Sequence, residues 1–117
     1  MATKQELEAN ADGIIAAVDQ AQDPKDQFCI VWNGTIKPML DLVKSFTGPK
    51  IDEQIENLEH AASGVCDGTN PDMSNYCNAW KNFHLKPLLK FVQKFTGPKV
   101  NKAIDKFIEI SDSFCPE

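Results

Sequence analysis

FTGPK occupies residues 46–50, and the same five residues return at 95–99. Each copy follows a stretch in which apolar residues recur every three or four positions, which is the spacing of a buried helix face. Glycine suits the left-handed conformation that ends a helix, and the following proline suits the first turn of the next helix. We therefore interpret FTGPK as a corner between two helices, with Gly48 and Gly97 in the left-handed conformation.

The match between the two halves of the chain extends beyond the pentapeptide. A shift of 48 positions aligns the residues before each corner, and one extra residue in the second half raises the shift to 49. Units of about 40 residues are typical of a helix pair, so the pattern indicates an internal duplication with pseudo-twofold symmetry. The aligned pairs include Phe28 and Tyr76, Cys29 and Cys77, Trp32 and Trp80, Pro38 and Pro87, and Cys66 and Cys115.

These patterns predict an all-α fold: a five-helix bundle made of two duplicated, disulfide-closed helical hairpins plus an N-terminal helix. The apolar stripes run through Phe46 and Phe95, so both rings are expected to face the core. Thr3 begins a capping-box pattern, and Asp23-Pro24 and Asn70-Pro71 supply helix starts. The predicted helices are 3–21, 24–46, 49–64, 71–95 and 98–113, in a single domain (1–117) whose repeats span 24–66 and 71–115.

Two prolines fall inside the long predicted helices. Pro38 and Pro87 each remove a backbone hydrogen bond and crowd the preceding turn, so a kink is predicted at both. The extra residue of the second unit lies between Trp80 and Pro87. A π-bulge there would absorb it, and such bulges are frequent at functional sites.

The four cysteines allow three pairings. In an antiparallel hairpin, Cys29 meets Cys66 and Cys77 meets Cys115, and each bridge would add up to about 4 kcal/mol of stability. The alternative is a zinc or iron–sulfur site that uses all four thiolates, but such sites usually carry closely spaced ligand pairs. If the bridges form, the protein is secreted or resides in another oxidising compartment, although residues 1–10 do not resemble a signal peptide.

Charge and hydropathy narrow the range of partners. The net charge is −5, and all 12 basic residues are lysine, which disfavours nucleic acid because arginine usually makes phosphate and base contacts. The apolar runs are too short for a transmembrane segment. Residues 1–75 carry 5 Lys and 13 acids (−8), whereas residues 76–117 carry 7 Lys and 4 acids (+3). This asymmetry makes a homodimer with acidic and basic units in contact one hypothesis.

Candidate ligand-binding residues cluster around the extra residue of the second unit. His84 stands where the first unit has Thr35, and Lys86, Lys90 and Lys94 follow at four-residue steps. Simpler interpretations exist for these candidates. His84 could be an ordinary half-buried residue, the two tryptophans could pack over the disulfides, and the lysines could form a solvated helix face. The predicted ligand-binding residues are Trp32, Trp80, Phe83, His84, Lys86 and Lys90.

The function predicted from these residues is non-catalytic binding. Kinked helices with aromatic inner faces can leave a cleft between the hairpins for an apolar or fatty-acid-like ligand, whose acidic end the lysines would meet. The alternative is a structural or protein-interaction module that acts through helix faces. Neither histidine (His60, His84) has a nucleophile at a recognisable spacing, so no enzyme, cofactor or metal is predicted.

Overall fold

The computed structural model describes residues 4–68 and 73–115, and within these ranges every regular element is helical. The prediction of an all-α fold is therefore confirmed. The elements are α1 (Lys4–Gln20), α2 (Pro24–Val31), a π-helical segment (Trp32–Ile36), α3 (Lys37–Lys44), α4 (Pro49–Asp67), α5 (Met73–Asn82), α6 (Leu85–Val92) and α7 (Pro98–Phe114).

The helix bounds agree with the sequence pattern except in the two long helices. The predicted helix 24–46 ends at Lys44 and contains the π-helical segment, and the predicted helix 71–95 is interrupted at residues 83–84. Helix α4 runs three residues beyond its predicted end, to Asp67, where Gly68 takes a left-handed conformation. The expected start at Asn70-Pro71 and the capping residue Thr3 lie outside the described residues.

The helix starts follow their local sequence. Asp23 caps α2 with its carboxylate, which accepts a hydrogen bond of 2.9 Å from the Lys25 amide. The prediction of left-handed Gly48 and Gly97 is wrong, because their φ values are −84° and −81° and their ψ values are 175°. Each glycine precedes a proline, whose ring disfavours a helical conformation in the residue before it. Both glycines are therefore extended N-caps of α4 and α7.

Helix α1 packs against α2, the π-helical segment, α3 and α7, and so contacts both halves of the chain. Gly34 in the π-helical segment allows this approach, because a Cβ there would lie 2.3 Å from Cδ1 of Ile14. At its other end, α1 supplies Glu8, whose carboxylate accepts hydrogen bonds from the amides of Lys99 (2.7 Å) and Val100 (3.1 Å) at the start of α7.

The predicted cysteine pairing is present. Cys29 of α2 is bonded to Cys66 of α4, and Cys77 of α5 is bonded to Cys115, the residue after α7. The Cα atoms of the two pairs lie 5.5 and 5.2 Å apart. All four sulfur atoms are used in the two bridges, so the alternative thiolate metal site is not formed.

The core between the two halves is filled by aromatic rings. Phe28 lies 4.8 Å from Tyr76 and 5.0 Å from Phe107 between ring centroids, and Trp32 lies 5.9 Å from Phe107. All four of these side chains are fully buried. Their packing occupies the space between the two halves, where the sequence pattern predicted a cleft.

The two FTGPK corners expose the phenylalanines that the apolar stripes placed in the core. Phe46 is 55% exposed and Phe95 is 38% exposed, and their rings are in edge-to-face contact at 5.5 Å. Both residues lie beyond the last α-helical residue of their segment, so the helical period no longer determines the face on which they lie.

Candidate functional site

An open cleft of about 850 Å³ lies among α5, α6 and the end of α7, beside the Cys77–Cys115 bridge. It belongs entirely to the second half of the chain, whereas the sequence pattern predicted a cleft between the halves. The aromatic core described above accounts for the difference, since it fills the central space. The residues of the cleft that carry the argument are Trp80, Lys81, His84, Lys86, Asp112 and Phe114.

Asp112 connects the polar groups of the cleft. Its Oδ1 accepts a hydrogen bond of 3.2 Å from Nε1 of Trp80, and its Oδ2 accepts one of 2.7 Å from Nζ of Lys86. The ion pair is exposed, so it contributes at most about 1 kcal/mol to stability. Because the Lys86–Asp112 pair is open to solvent, a ligand carboxylate could replace Asp112 on the ammonium group at low energetic cost.

His84 occupies the break between α5 and α6. Its φ and ψ are 53° and 49°, and it is the only non-glycine residue of the described chain in the left-handed conformation. The second unit has one residue more than the first between its tryptophan and its proline, and this residue is taken up by the break. Non-glycine residues held in this conformation cluster at functional sites, and His84 lines the cleft.

The prediction of a π-bulge between Trp80 and Pro87 is wrong, because the second unit has a break there, and a π-helical segment stands in the first unit instead. The π-helical segment Trp32–Ile36 ends two residues before Pro38, the second residue of α3, and the break at residues 83–84 precedes Pro87, the third residue of α6. Proline has no N–H to give to the carbonyl four residues earlier, so the regular α-helical pattern fails just before each proline. With one residue fewer, the first unit stays helical there.

Three of the six predicted ligand-binding residues line the cleft: Trp80, His84 and Lys86. Trp32 is wholly buried beneath the rings of the core, because α1 covers the π-helical segment that carries it. Phe83 is 45% exposed but is not among the lining residues. Lys90 lies along α6 outside the cleft, where its ammonium group is 3.4 Å from Asp105.

The sequence pattern missed Lys81, Asp112 and Phe114, which complete the cleft. A comparison of the aligned units contains the relevant signal. Asp112 aligns with Ser63, and Lys81 aligns with Asn33, so the charged groups are specific to the second unit. Residues that differ between the aligned segments thus indicate the cleft better than the shared tryptophans do.

The cleft brings apolar and positively charged side chains together. It combines the apolar surfaces of Trp80, Pro87 and Phe114 with the ammonium groups of Lys81 and Lys86. Among the described residues, no group of three or more histidine, cysteine, aspartate or glutamate side chains could hold a metal ion. None of the helices in the described ranges is long and apolar enough to cross a bilayer.

Comparison of the chain with protein-family models, curated proteins and solved structures gave no match.

Proposed function

We propose that this protein binds, without catalysis, a small amphipathic molecule that carries an acidic group, such as a fatty acid. The observation that carries the proposal is the cleft beside the Cys77–Cys115 bridge, in which apolar rings and two lysines converge. Sites for small ligands are concave, mostly apolar and supplied with a few well-placed polar groups. This cleft combines apolar surfaces with ammonium groups, which suits an amphipathic ligand with an acidic group.

In the proposed complex, the ligand's carboxylate binds Lys86 and competes there with Asp112. The apolar part of the ligand lies along Trp80 and Phe114. Lys81 adds a second positive charge, which favours acidic over neutral ligands. The left-handed turn at His84 fixes one wall of the cleft. It lies between α5 and α6 and so determines where α6 begins, and Lys86 is the second residue of α6.

A titration of the purified chain with laurate tests the proposal, with dodecanol as the neutral control. Calorimetry and tryptophan fluorescence should show saturable binding of laurate. Lys86→Gln should weaken binding about tenfold, as expected for the loss of a charge-assisted hydrogen bond. Lys37→Gln is the matched control, because Lys37 is the aligned lysine of the first unit and lies outside this cleft.

Equal affinities of the Lys86→Gln and Lys37→Gln variants would contradict the assignment of the acidic group to Lys86. The absence of any saturable signal with laurate, together with purified protein that carries no small molecule by native mass spectrometry, would contradict the binding function.

A protein-interaction module, acting as a homodimer, is the second candidate. It is favoured by the charge asymmetry, −8 over residues 1–75 and +3 over residues 76–117. Opposite charges on two copies attract most strongly at low ionic strength. Sedimentation at low and high salt separates the candidates: a dimer that dissociates with salt supports this one, and a monomer at all salt concentrations contradicts it.

We also propose that the two halves are copies of one disulfide-closed helical hairpin. The support is their common plan: a bridge from the first helix to the end of the last, a helical irregularity before each proline, and an extended glycine before α4 and before α7. The two bridges are compatible with secretion or another oxidising compartment, which is where we propose that the protein acts.

A further inference from the structure

Three phenylalanine rings, two exposed and one half-buried, lie in contact on the far part of α6 and the two FTGPK corners. We call Phe46, Phe91 and Phe95 the phenylalanine face. The rings of Phe46 and Phe95 are 5.5 Å apart, and those of Phe91 and Phe95 are 5.2 Å apart. Phe46 and Phe95 are two of the three large hydrophobic side chains exposed in the described chain.

The corners that carry these rings are fixed by hydrogen bonds. The hydroxyl of Thr47 binds the carbonyl of Val43 (3.0 Å) and a carboxylate oxygen of Asp52 (2.5 Å). In the other corner, the hydroxyl of Thr96 binds the side chain of Asn101. Thr47 thus connects the end of α3 to the start of α4, and Thr96 connects the second corner to the start of α7. These bonds fix the corners from which Phe46 and Phe95 project.

Lysines border the phenylalanine face along α6. Lys86, Lys90 and Lys94 are spaced by four residues and, with Pro87 and Phe91, line a shallow groove of about 500 Å³. The ammonium group of Lys94 lies 5.9 Å from the centroid of the Phe91 ring. Lys90 faces Asp105 at 3.4 Å in an exposed pair, which is weak enough to be exchanged for another anion.

We propose that the phenylalanine face docks this protein on an anionic membrane surface. Aromatic rings enter the boundary between headgroups and acyl chains, while lysines beside them meet the lipid phosphates. Each lysine near such a surface contributes about 1 kcal/mol. The attraction is local: at physiological salt the screening length is about 8 Å, so distant acidic residues of the first half oppose it little.

A membrane fits this surface better than a peptide does. The groove is shallow, and the two exposed rings of the face lie on separate corners instead of lining a deep channel. Fixed rings projecting beside a row of cations are suited to a flat, negatively charged partner. The proposal stands on residues outside the ligand cleft, except for Lys86 and Pro87, which border both.

Flotation of the full-length chain with phosphatidylcholine vesicles, with and without phosphatidylserine, tests this proposal. We expect binding only to the vesicles that contain phosphatidylserine, and release at high salt. Lys90→Gln and Lys94→Gln should each lower the partition coefficient about fivefold. The double variant Phe46→Ser/Phe95→Ser should lower it about tenfold. Lys25→Gln is the control, because Lys25 lies at the start of α2, at the end of its hairpin opposite the FTGPK corner.

Several outcomes would overturn the proposal. They are equal binding to neutral and anionic vesicles, no binding to either, or full binding by the phenylalanine double variant. A dimer that is abolished by Phe46→Ser/Phe95→Ser would show that a second copy, not a membrane, covers the face. Circular dichroism of the variants establishes that they are folded, as expected for changes at exposed positions.

Discussion

At the scale of single residues, the two corner glycines have the same backbone conformation but different surroundings. A Cβ on Gly97 would lie 2.7 Å from the carboxylate of Glu8, whereas nothing lies within 4 Å of one on Gly48. Gly97→Ala should therefore push Glu8 away from the start of α7. The loss of this charged cap should cost about 1 kcal/mol in the free energy of unfolding by urea.

Gly48→Ala is the matched control and should change stability by only a few tenths of a kcal/mol, because alanine adopts this extended conformation easily. In a Glu8→Ala background, Gly97→Ala should also cost little, since the clashing group is gone. Equal losses for the two glycine variants, or the same loss with and without Glu8, would contradict the cap.

The aligned halves differ by a coordinated pair of polar substitutions in the core. Tyr76 donates to or accepts from Ser111, with 2.8 Å between the two oxygens, and the aligned residues of the first half are Phe28 and Ala62. The first half thus lacks both hydroxyl groups, and the second has both. A buried hydroxyl is costly without a partner, and here each hydroxyl is the partner of the other.

Burial raises the pKa of Tyr76 above the ordinary value of a phenol. The folded state therefore keeps a proton that the unfolded chain loses above about pH 10. Stability is fully present below that pH and falls as the pH rises toward the raised pKa, by up to about 1.4 kcal/mol for each pH unit. The raised pKa of Lys44, which donates a hydrogen bond to Glu59, acts in the same direction.

The double variant Tyr76→Phe/Ser111→Ala, which copies the first half, should therefore lose less stability between about pH 10 and pH 12 than the wild type. Urea unfolding at several pH values measures the difference. Because Tyr76 is the only tyrosine, the ultraviolet absorbance of phenolate reports its titration directly. Ionisation of Tyr76 before any loss of structure would contradict its burial.

At the scale of the elements, the extra residue of the second unit determines which irregularity precedes the proline. The first unit has a π-helical segment before Pro38, whereas the second unit, which is one residue longer there, has a break at His84. A left-handed conformation costs a non-glycine residue roughly 1–2 kcal/mol. His84→Gly should therefore stabilise the protein by about 1 kcal/mol in thermal or urea unfolding without ligand.

His60→Gly gives the contrasting result, because His60 lies inside α4 and glycine there should cost about 1 kcal/mol. If His84→Gly destabilised the protein as much as His60→Gly does, residue 84 would be helical rather than left-handed.

The sequence predicts most of the helices but not the exposure or the contacts of the residues at their ends. Apolar spacing and cap residues are local signals, so they identify the helical stretches without giving the breaks within them. The exposure of Phe46 and Phe95 could not be predicted, because both lie past the helix ends, where the period stops applying. The cap of α7 by Glu8 was also hidden, since 91 residues separate Glu8 from Lys99.

At the scale of the whole molecule, the central feature is a pair of disulfide-closed halves joined by an aromatic core. Symmetry predicted the two bridges correctly, but it also suggested equivalent roles for Trp32 and Trp80. Both side chains belong to the core, but Trp32, on the segment that α1 covers, has no exposed surface, whereas Trp80 is 6% exposed and borders a cleft.

The disulfide pairing, on which the halves and the cleft both depend, can be tested by one cleavage. Cyanogen bromide cuts after Met39 and Met73, which separates Cys29 (2–39), Cys66 (40–73) and the pair Cys77 and Cys115 (74–117). Without reduction, mass spectrometry should show fragment 2–39 joined to 40–73, and fragment 74–117 alone with an internal bridge. A single species that contains all three fragments would contradict the account, because either other pairing links them together.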